Sequence, residues 1–188
     1  MRCLVPADAS QLQAGWTLDA TASEMLNVER NEWTVSAQRN YFASAGRASD
    51  RLLLGIWTNA GNSLIGLYII KFWPADDIFS YSTLIGNKAW RGKNTADETA
   101  TSICGHFFNE LGYVKAKTSV RPTNKPVLWL LMNGVWKKEA KLQGQLLDRK
   151  TGERADVLVF GMLADDWRTY QRNRDAVALR KRHESQIA

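Results

Sequence analysis

The chain changes its hydrophobic period along its length, and each period predicts an element. Arg51 to Trp57 is a short apolar run, and Ser63 to Trp73 is a longer one. Between them, Asn59-Ala60-Gly61-Asn62 makes a turn, because Asn and Gly tolerate positive φ. The longer run suits a central strand covered on both faces. Pro74-Ala75-Asp76-Asp77 turns the chain again, and Ile78 to Gly86 reads as a third strand, which predicts an antiparallel meander. From Asn94 the period lengthens. Ala96, Ala100, Ile103, Cys104, Phe107, Phe108 and Leu111 recur in steps of three and four, a helical stripe that Gly112 ends. Tyr113 to Arg121 then alternates, with Val114, Ala116, Thr118 and Val120 on one face and Lys115, Lys117, Ser119 and Arg121 on the other. Strand, helix and strand at this length predict a right-handed crossover and a parallel strand pair.

The flanks are less regular. Pro6 and Asp8 open a segment with weak helical character that runs to about Glu29, punctuated by Ser23 and Glu24. Glu32 to Ser44 reads as a helix with Trp33, Ala37, Tyr41 and Phe42 on one face. Downstream, Asn124 caps a short helix with Pro126 in its first turn, and Gly134 stops it. Val135 to Leu147 and Glu153 to Leu163 form a hairpin around Asp148-Arg149-Lys150-Thr151-Gly152. A polar, basic helix from Asp165, over about 165–183, follows. The order predicts an α/β fold, a mixed sheet with helices on both sides, and not the strict alternation of a doubly wound nucleotide fold. No repeat, low-complexity tract or linker divides it, so one domain is expected over residues 1–188.

Composition narrows the function classes. A length of 188 residues fits one core, and 45% apolar with 23% charged residues excludes disorder. No run of about eighteen apolar residues exists, so no membrane span is expected. Asp8 comes too early for a signal-peptide core, and a cytoplasmic protein is expected. Cys3 and Cys104 lie far apart, and His106 and His183 are the two histidines, so neither a disulfide framework nor a metal site is expected. The net charge of +6 invites a nucleic-acid partner. Most of the excess sits in Arg168, Arg172, Arg174, Arg180, Lys181 and Arg182, opposed by Asp175. A basic helix face is more often solvated, so nucleic-acid binding through this tail is the least favoured reading.

The chemistry concentrates in Arg91-Gly92-Lys93-Asn94-Thr95-Ala96, which leads into a helix N-terminus. Unpaired backbone N–H groups and the helix dipole there favour an anion such as a pyrophosphate, and Arg91 and Lys93 add mobile positive charge. This segment resembles the Gln/Arg-x-x-Gly-x-Gly/Ala motif of GNAT acyltransferases, with Arg91 first, Asn94 where Gly is usual and Ala96 last. Trp90-Arg91-Gly92-Lys93-Asn94-Thr95-Ala96-Asp97-Glu98 is similar to the Trp/Tyr-Arg-Gly-Lys-Gly-x-Ala-x-Glu of the Rim-type branch, and Val120-Arg121-Pro122-Thr123-Asn124 to its Val-x-Pro-x-Asn. Met132-Asn133-Gly134-Val135 stands where that branch has a Leu-Gly-Phe type ending. The resemblance in element order runs from about Arg51 to Trp167. It implies the GNAT fold and transfer of an acetyl group from acetyl-CoA to a primary amine, a protein N-terminus or a small molecule. Asn94 is tolerable because Asn adopts unusual φ and ψ better than most residues.

The resemblance further implies that Leu84, Ile85 and Gly86 offer backbone groups to the pantetheine arm; otherwise they are a plain strand end. Asn124 is either a pantetheine ligand or only a helix N-cap. The branch's Ser three residues after its Asn is Val127 here, so no serine acid carries over. Among residues near the expected centre are Ser80, Tyr81 and Ser82, with Asp76 and Asp77 before them. Tyr81 can protonate a leaving thiolate, or is core. Cys104 on the apolar stripe reads as packing, and His106 as solvated. The eight tryptophans read mostly as core. Two alternatives to the enzyme remain: a catalytically silent acyl-CoA-binding protein of the same fold, and the nucleic-acid reading. Edge strands of the last hairpin could pair in a homodimer.

Overall fold

The computed structural model describes residues 1–10, 15–19, 34–48, 50–149 and 151–187. The strands are β1 (Arg2–Cys3), β2 (Arg51–Trp57), β3 (Leu64–Trp73), β4 (Ile78–Ile85), β5 (Lys115–Val120), β6 (Lys137–Leu147) and β7 (Arg154–Leu163). The helices are α1 (Val35–Gly46), α2 (Thr95–Gly105), α3 (Lys125–Asn133) and α4 (Ala164–Ile187). The strands make one seven-stranded sheet in the order β1-β2-β3-β4-β5-β7-β6. The meander β2–β3–β4 is antiparallel, the crossover through α2 makes β4 and β5 parallel, and β7 lies between β5 and β6.

The two faces carry separate cores. On the α2 face, Tyr68, Ile70 and Phe79 of the sheet pack with Ile103, Cys104, Phe107 and Phe108, and with Trp167 of α4. On the other face, Phe42 and Ala45 of α1 cover Leu53 and Leu64 together with Leu4 and Trp16. The two phenylalanines 107 and 108 are both buried because α2 runs on into a wider π turn over His106–Glu110, which brings adjacent side chains to the same core.

Four expectations need correction. α1 starts at Val35, with the Thr34 hydroxyl accepting the Ala37 amide at 3.1 Å, and its buried face is Gln38, Phe42 and Ala45. Ala37 is exposed, since steps of four and three from Gln38 set the face; Trp33 lies outside the described residues. The weakly helical start resolves into short 3₁₀ turns at Pro6–Asp8 and Gly15–Leu18, with 20–33 outside the described residues. Val114 is 51% exposed because β5 begins only at Lys115. Arg121, placed on the polar face of β5, is buried. The two-residue β1 had no periodic signal at all.

Phe79 centres the α2-face core. Its ring stacks on Phe107 at 4.4 Å and meets Phe108 and Tyr113 edge-on at 5.2 and 6.0 Å. Truncating it leaves a cavity among rings that have nowhere to collapse. Phe79→Ala is expected to cost about 3–5 kcal/mol in urea unfolding, and Phe79→Leu to recover most of that.

Candidate active site

β4 and β5 pair at three positions, Ile78–Lys115, Phe79–Ala116 and Ser80–Lys117, and then part. Each keeps its other neighbour: β4 stays on β3 to Ile85, and β5 stays on β7 to Val120. The result is a cleft whose inner strand edges pair with no other strand among the described residues. Thr83, Ala96, Ala100, Ser119 and Asn124 border a cavity of about 320 Å³ in it. On the α2 side it adjoins a second cavity, of about 370 Å³, between α2, α3 and α4. Asn94, Asp97, Trp129, Asn133, Tyr170 and Arg174 line that one, and Tyr81, Leu130 and Trp136 border both.

The loop into α2 is held open by its backbone. Gly92 has φ +72, and Asn94 has φ 62 and ψ 6, the left-handed region in which Asn stands in for Gly. The first turn of α2 is fixed from below: the Tyr68 hydroxyl donates to the Ala96 carbonyl at 2.9 Å and lies 2.8 Å from the Thr99 hydroxyl. The α2 N-terminus thus keeps unpaired N–H groups beside the cleft.

Arg91 is not mobile charge. Its Nε donates to the Ile85 carbonyl at 2.8 Å and its Nη2 to the Gly86 carbonyl at 3.2 Å, while Nη1 meets Asp19 at 3.2 Å. It therefore ties the loop to the end of β4. Two reasons turn it inward: the strand end leaves carbonyls unpaired, and Asp19 supplies a carboxylate that also pairs with Lys88 at 2.8 Å. Lys93 is the loop's outward cation, 5.8 Å from the Trp90 ring centre. Gly86 is required, because a Cβ there would overlap the Trp16 ring. Asn124 is an N-cap, its side-chain oxygen accepting the Val127 amide at 3.4 Å. Leu84 turns toward the α1-face core. Tyr68, Asp19 and Trp16 gave no sequence signal as supports, since each contact is long-range.

No family model and no curated protein matches the sequence. Solved structures do match. A spermidine N-acetyltransferase from Vibrio cholerae, in complex with CoA and spermine, superposes with a TM-score of 0.76 at 15% identity, over 88% of this chain and 95% of that one. A GCN5-related N-acetyltransferase from Brucella melitensis gives 0.78 at 15% identity, over 93% and 79%. A GNAT-family acetyltransferase from Bacillus anthracis gives 0.73 at 15% identity, over 87% and 93%. The chain has the GNAT acyltransferase fold. At such low identity, substrate does not transfer with the fold.

Within this GNAT fold, Tyr81 sits at the parting of the strands. Its ring packs edge-on against Tyr68 at 5.8 Å and Trp136 at 6.0 Å. Burial pushes its phenol well above the usual value, helped by Cys104 and Tyr68 beside it. It therefore carries its proton at neutral pH. Burial also raises the Cys104 thiol to about 12, so no thiolate nucleophile forms there. His106 is exposed on the helix exterior, 2.7 Å from Glu110, away from the cleft. Asp76 and Asp77 lie in the exposed turn before β4. Among the described residues, no His, Cys, Asp and Glu group of three or more could hold a metal, and no helix is long and apolar enough to cross a membrane.

Two outcomes follow from this geometry. Asn94→Gly is expected to leave stability nearly unchanged, whereas Asn94→Ala costs about 1–2 kcal/mol in denaturant melts, since Ala has no route to favour left-handed φ. Ellman titration of the folded protein at pH 8 is expected to find one thiol, the exposed Cys3, and two after unfolding, because Cys104 is buried.

Proposed function

We propose that the protein is an N-acetyltransferase that moves an acetyl group from acetyl-CoA to a primary amine by direct transfer in a ternary complex. The observation that carries this reading is the parted β4–β5 cleft, opening beside a left-handed loop at a helix N-terminus with a protonated tyrosine between the strands. The fold likeness to acetyltransferases, one of them holding CoA, supports it. The chain fits that group. The left-handed loop Gly92 to Ala96, with Lys93 outward, offers a positive seat for a pyrophosphate at the α2 N-terminus, and the β4 edge beyond Ser80, where no strand pairs with it among the described residues, offers backbone partners to an extended arm. Bound acetyl-CoA would supply an activated acyl thioester and a thiol leaving group.

The residues here divide the remaining work. Arg91 holds the loop and the β4 end in register. Thr95, 8% exposed, anchors the loop by donating its hydroxyl to the Trp90 carbonyl at 3.2 Å. Asn124 fixes the start of α3, which walls the arm. Backbone N–H groups of the parted strands polarise the carbonyl under attack. The incoming amine uses its lone pair to form the N–C bond as the C–S bond breaks onto sulfur; Tyr81 supplies the proton that sulfur takes up, and the proton shed by nitrogen restores the Tyr81 phenol. No covalent enzyme intermediate is needed, in keeping with a protonated Cys104. The left-handed Asn94 answers one of the two grounds for a silent binding protein; the other is Val127 where a serine is usual, and Tyr81 is the proton donor that answers it. Arg168 and Arg174 of the basic helix are engaged with Asp165 and Asp97, which disfavours nucleic acid as their partner.

A thermal melt with acetyl-CoA is the direct test. A hundredfold excess over the dissociation constant is expected to add about 2.7 kcal/mol of stability, and no shift at millimolar ligand would sink the reading. Tyr81→Phe is expected to lower kcat about a hundredfold with the melt shift retained.

A further inference from the structure

Three cavities border Tyr81, and their linings differ. One is the cleft itself, with Ala96, Asn124 and the parted strand edges around it. The second is a groove of about 400 Å³ on the face away from α2, bordered by Lys71, Trp73, Ser80, Ser82, Lys117 and Ser119. That groove is polar and cationic. Lys117 Nζ lies 3.6 Å from the Trp73 ring centre, a cation–π contact that leaves the ammonium charged. The third is the cavity between α2, α3 and α4. Its two ends are unlike. Near the start of α2 it meets Asn94, Asp97 and Arg174. Beside Tyr81 it meets Cys104, Val135, Trp136, Met162 and Trp167, all part of the α2-face core or packed against it.

The roof of this third cavity is α4. Trp167, Tyr170, Gln171 and Arg174 recur in steps of three and four, so one face of the helix turns to the space. Arg174 Nη2 pairs with Asp97 at 3.0 Å and ties α4 to α2 across the polar end. At the apolar end the Trp167 ring packs on Phe108, with 5.6 Å between centres. The helix is therefore anchored on both sides of the cavity and spans it without filling it. Ala100 borders both this cavity and the cleft, so the passage between them runs over a single methyl group.

Acyl transfer brings three groups to one carbon: the thioester sulfur with its arm, the amine, and the acyl chain. The cleft, with the α2 loop beside it, takes the arm. The hydroxyls and ammonium groups of the far groove suit a hydrophilic acceptor. The apolar end of the third cavity is left for the acyl chain, and an acetyl methyl does not need it. An apolar cavity of about 150 Å³ already admits benzene, and this one is about 370 Å³. We propose that the donor's acyl group is longer than acetyl, a straight medium chain such as hexanoyl, with its tail in the apolar end of the cavity under α4. This rests on the transfer reading above and lengthens its donor. The step balances as before: the N–C bond forms, the C–S bond breaks onto sulfur, and the proton shed by nitrogen equals the one gained by sulfur.

The test is a set of thermal melts and tryptophan-fluorescence titrations with acetyl-, butyryl-, hexanoyl- and octanoyl-CoA, without amine. Trp136 and Trp167 line the cavity and report its filling. Affinity is expected to rise about fourfold per methylene as far as hexanoyl, with the melting midpoint rising in the same order. Gln171→Trp fills the space from α4 and is expected to bring hexanoyl-CoA back to the affinity of acetyl-CoA, with acetyl-CoA itself unchanged. Thr101→Leu fills it from the α2 wall, is expected to do the same, and carries the test if the first variant does not fold. Equal affinity along the series, or affinity that falls with length, overturns the proposal. An equal loss for acetyl-CoA and hexanoyl-CoA in the variants overturns it too, because the cavity then holds another part of the donor. No melt shift with any thioester, acetyl-CoA included, sinks the donor reading and this proposal with it. A shift with acetyl-CoA that does not grow with chain length sinks this proposal alone.

Discussion

The structure depends on the parting of two parallel strands. After Ser80 and Lys117, β4 and β5 each have a partner strand on one side and, among the described residues, none on the other. Backbone N–H and C=O groups must be satisfied; Arg91 takes the last carbonyls of β4, and water or an extended ligand is left the rest. The cleft could not persist if either strand were free to drift back. β7 pairs with β5 along its length, and Arg91 claims the last carbonyls of β4. The gap is therefore built by what holds the strands apart, and the α2 loop, Tyr81 and the cationic groove are all arranged around it.

Much of this was legible in the chain. The bounds of β2 and the crossover through α2 follow from period alone, because burial on two faces or one stripe leaves a direct trace in residue order. The left-handed Asn94 was legible for a local reason, the tolerance of Asn for that conformation. The directions of charged side chains were not. Arg91 could serve a phosphate or a carbonyl from the same position, and only the nearby Asp19 and strand end decide it. Arg121 sits where alternation assigns it to the polar side, yet the Asp148 hairpin end covers it. The meeting of Lys71 with Lys117 needs β4 between β3 and β5, a fact of sheet order and not of spacing.

The two faces of the cleft differ in electrostatic character. The α2 side offers backbone dipoles, one outward lysine and a carboxylate–arginine pair between Asp97 and Arg174. The far side offers side-chain cations over an aromatic ring. Between them Tyr81 is held neutral by burial, so no fixed charge stands at the point where the faces meet.

Trp16 and Asp19 both come from one short turn. Trp16 seals Gly86, and Asp19 pairs with Arg91 and Lys88. That turn and the loop beyond β4 therefore share one footing, and neither can detach without exposing the other. The footing of the cleft's rim is thus a tryptophan packed on a glycine and one carboxylate shared by two cations.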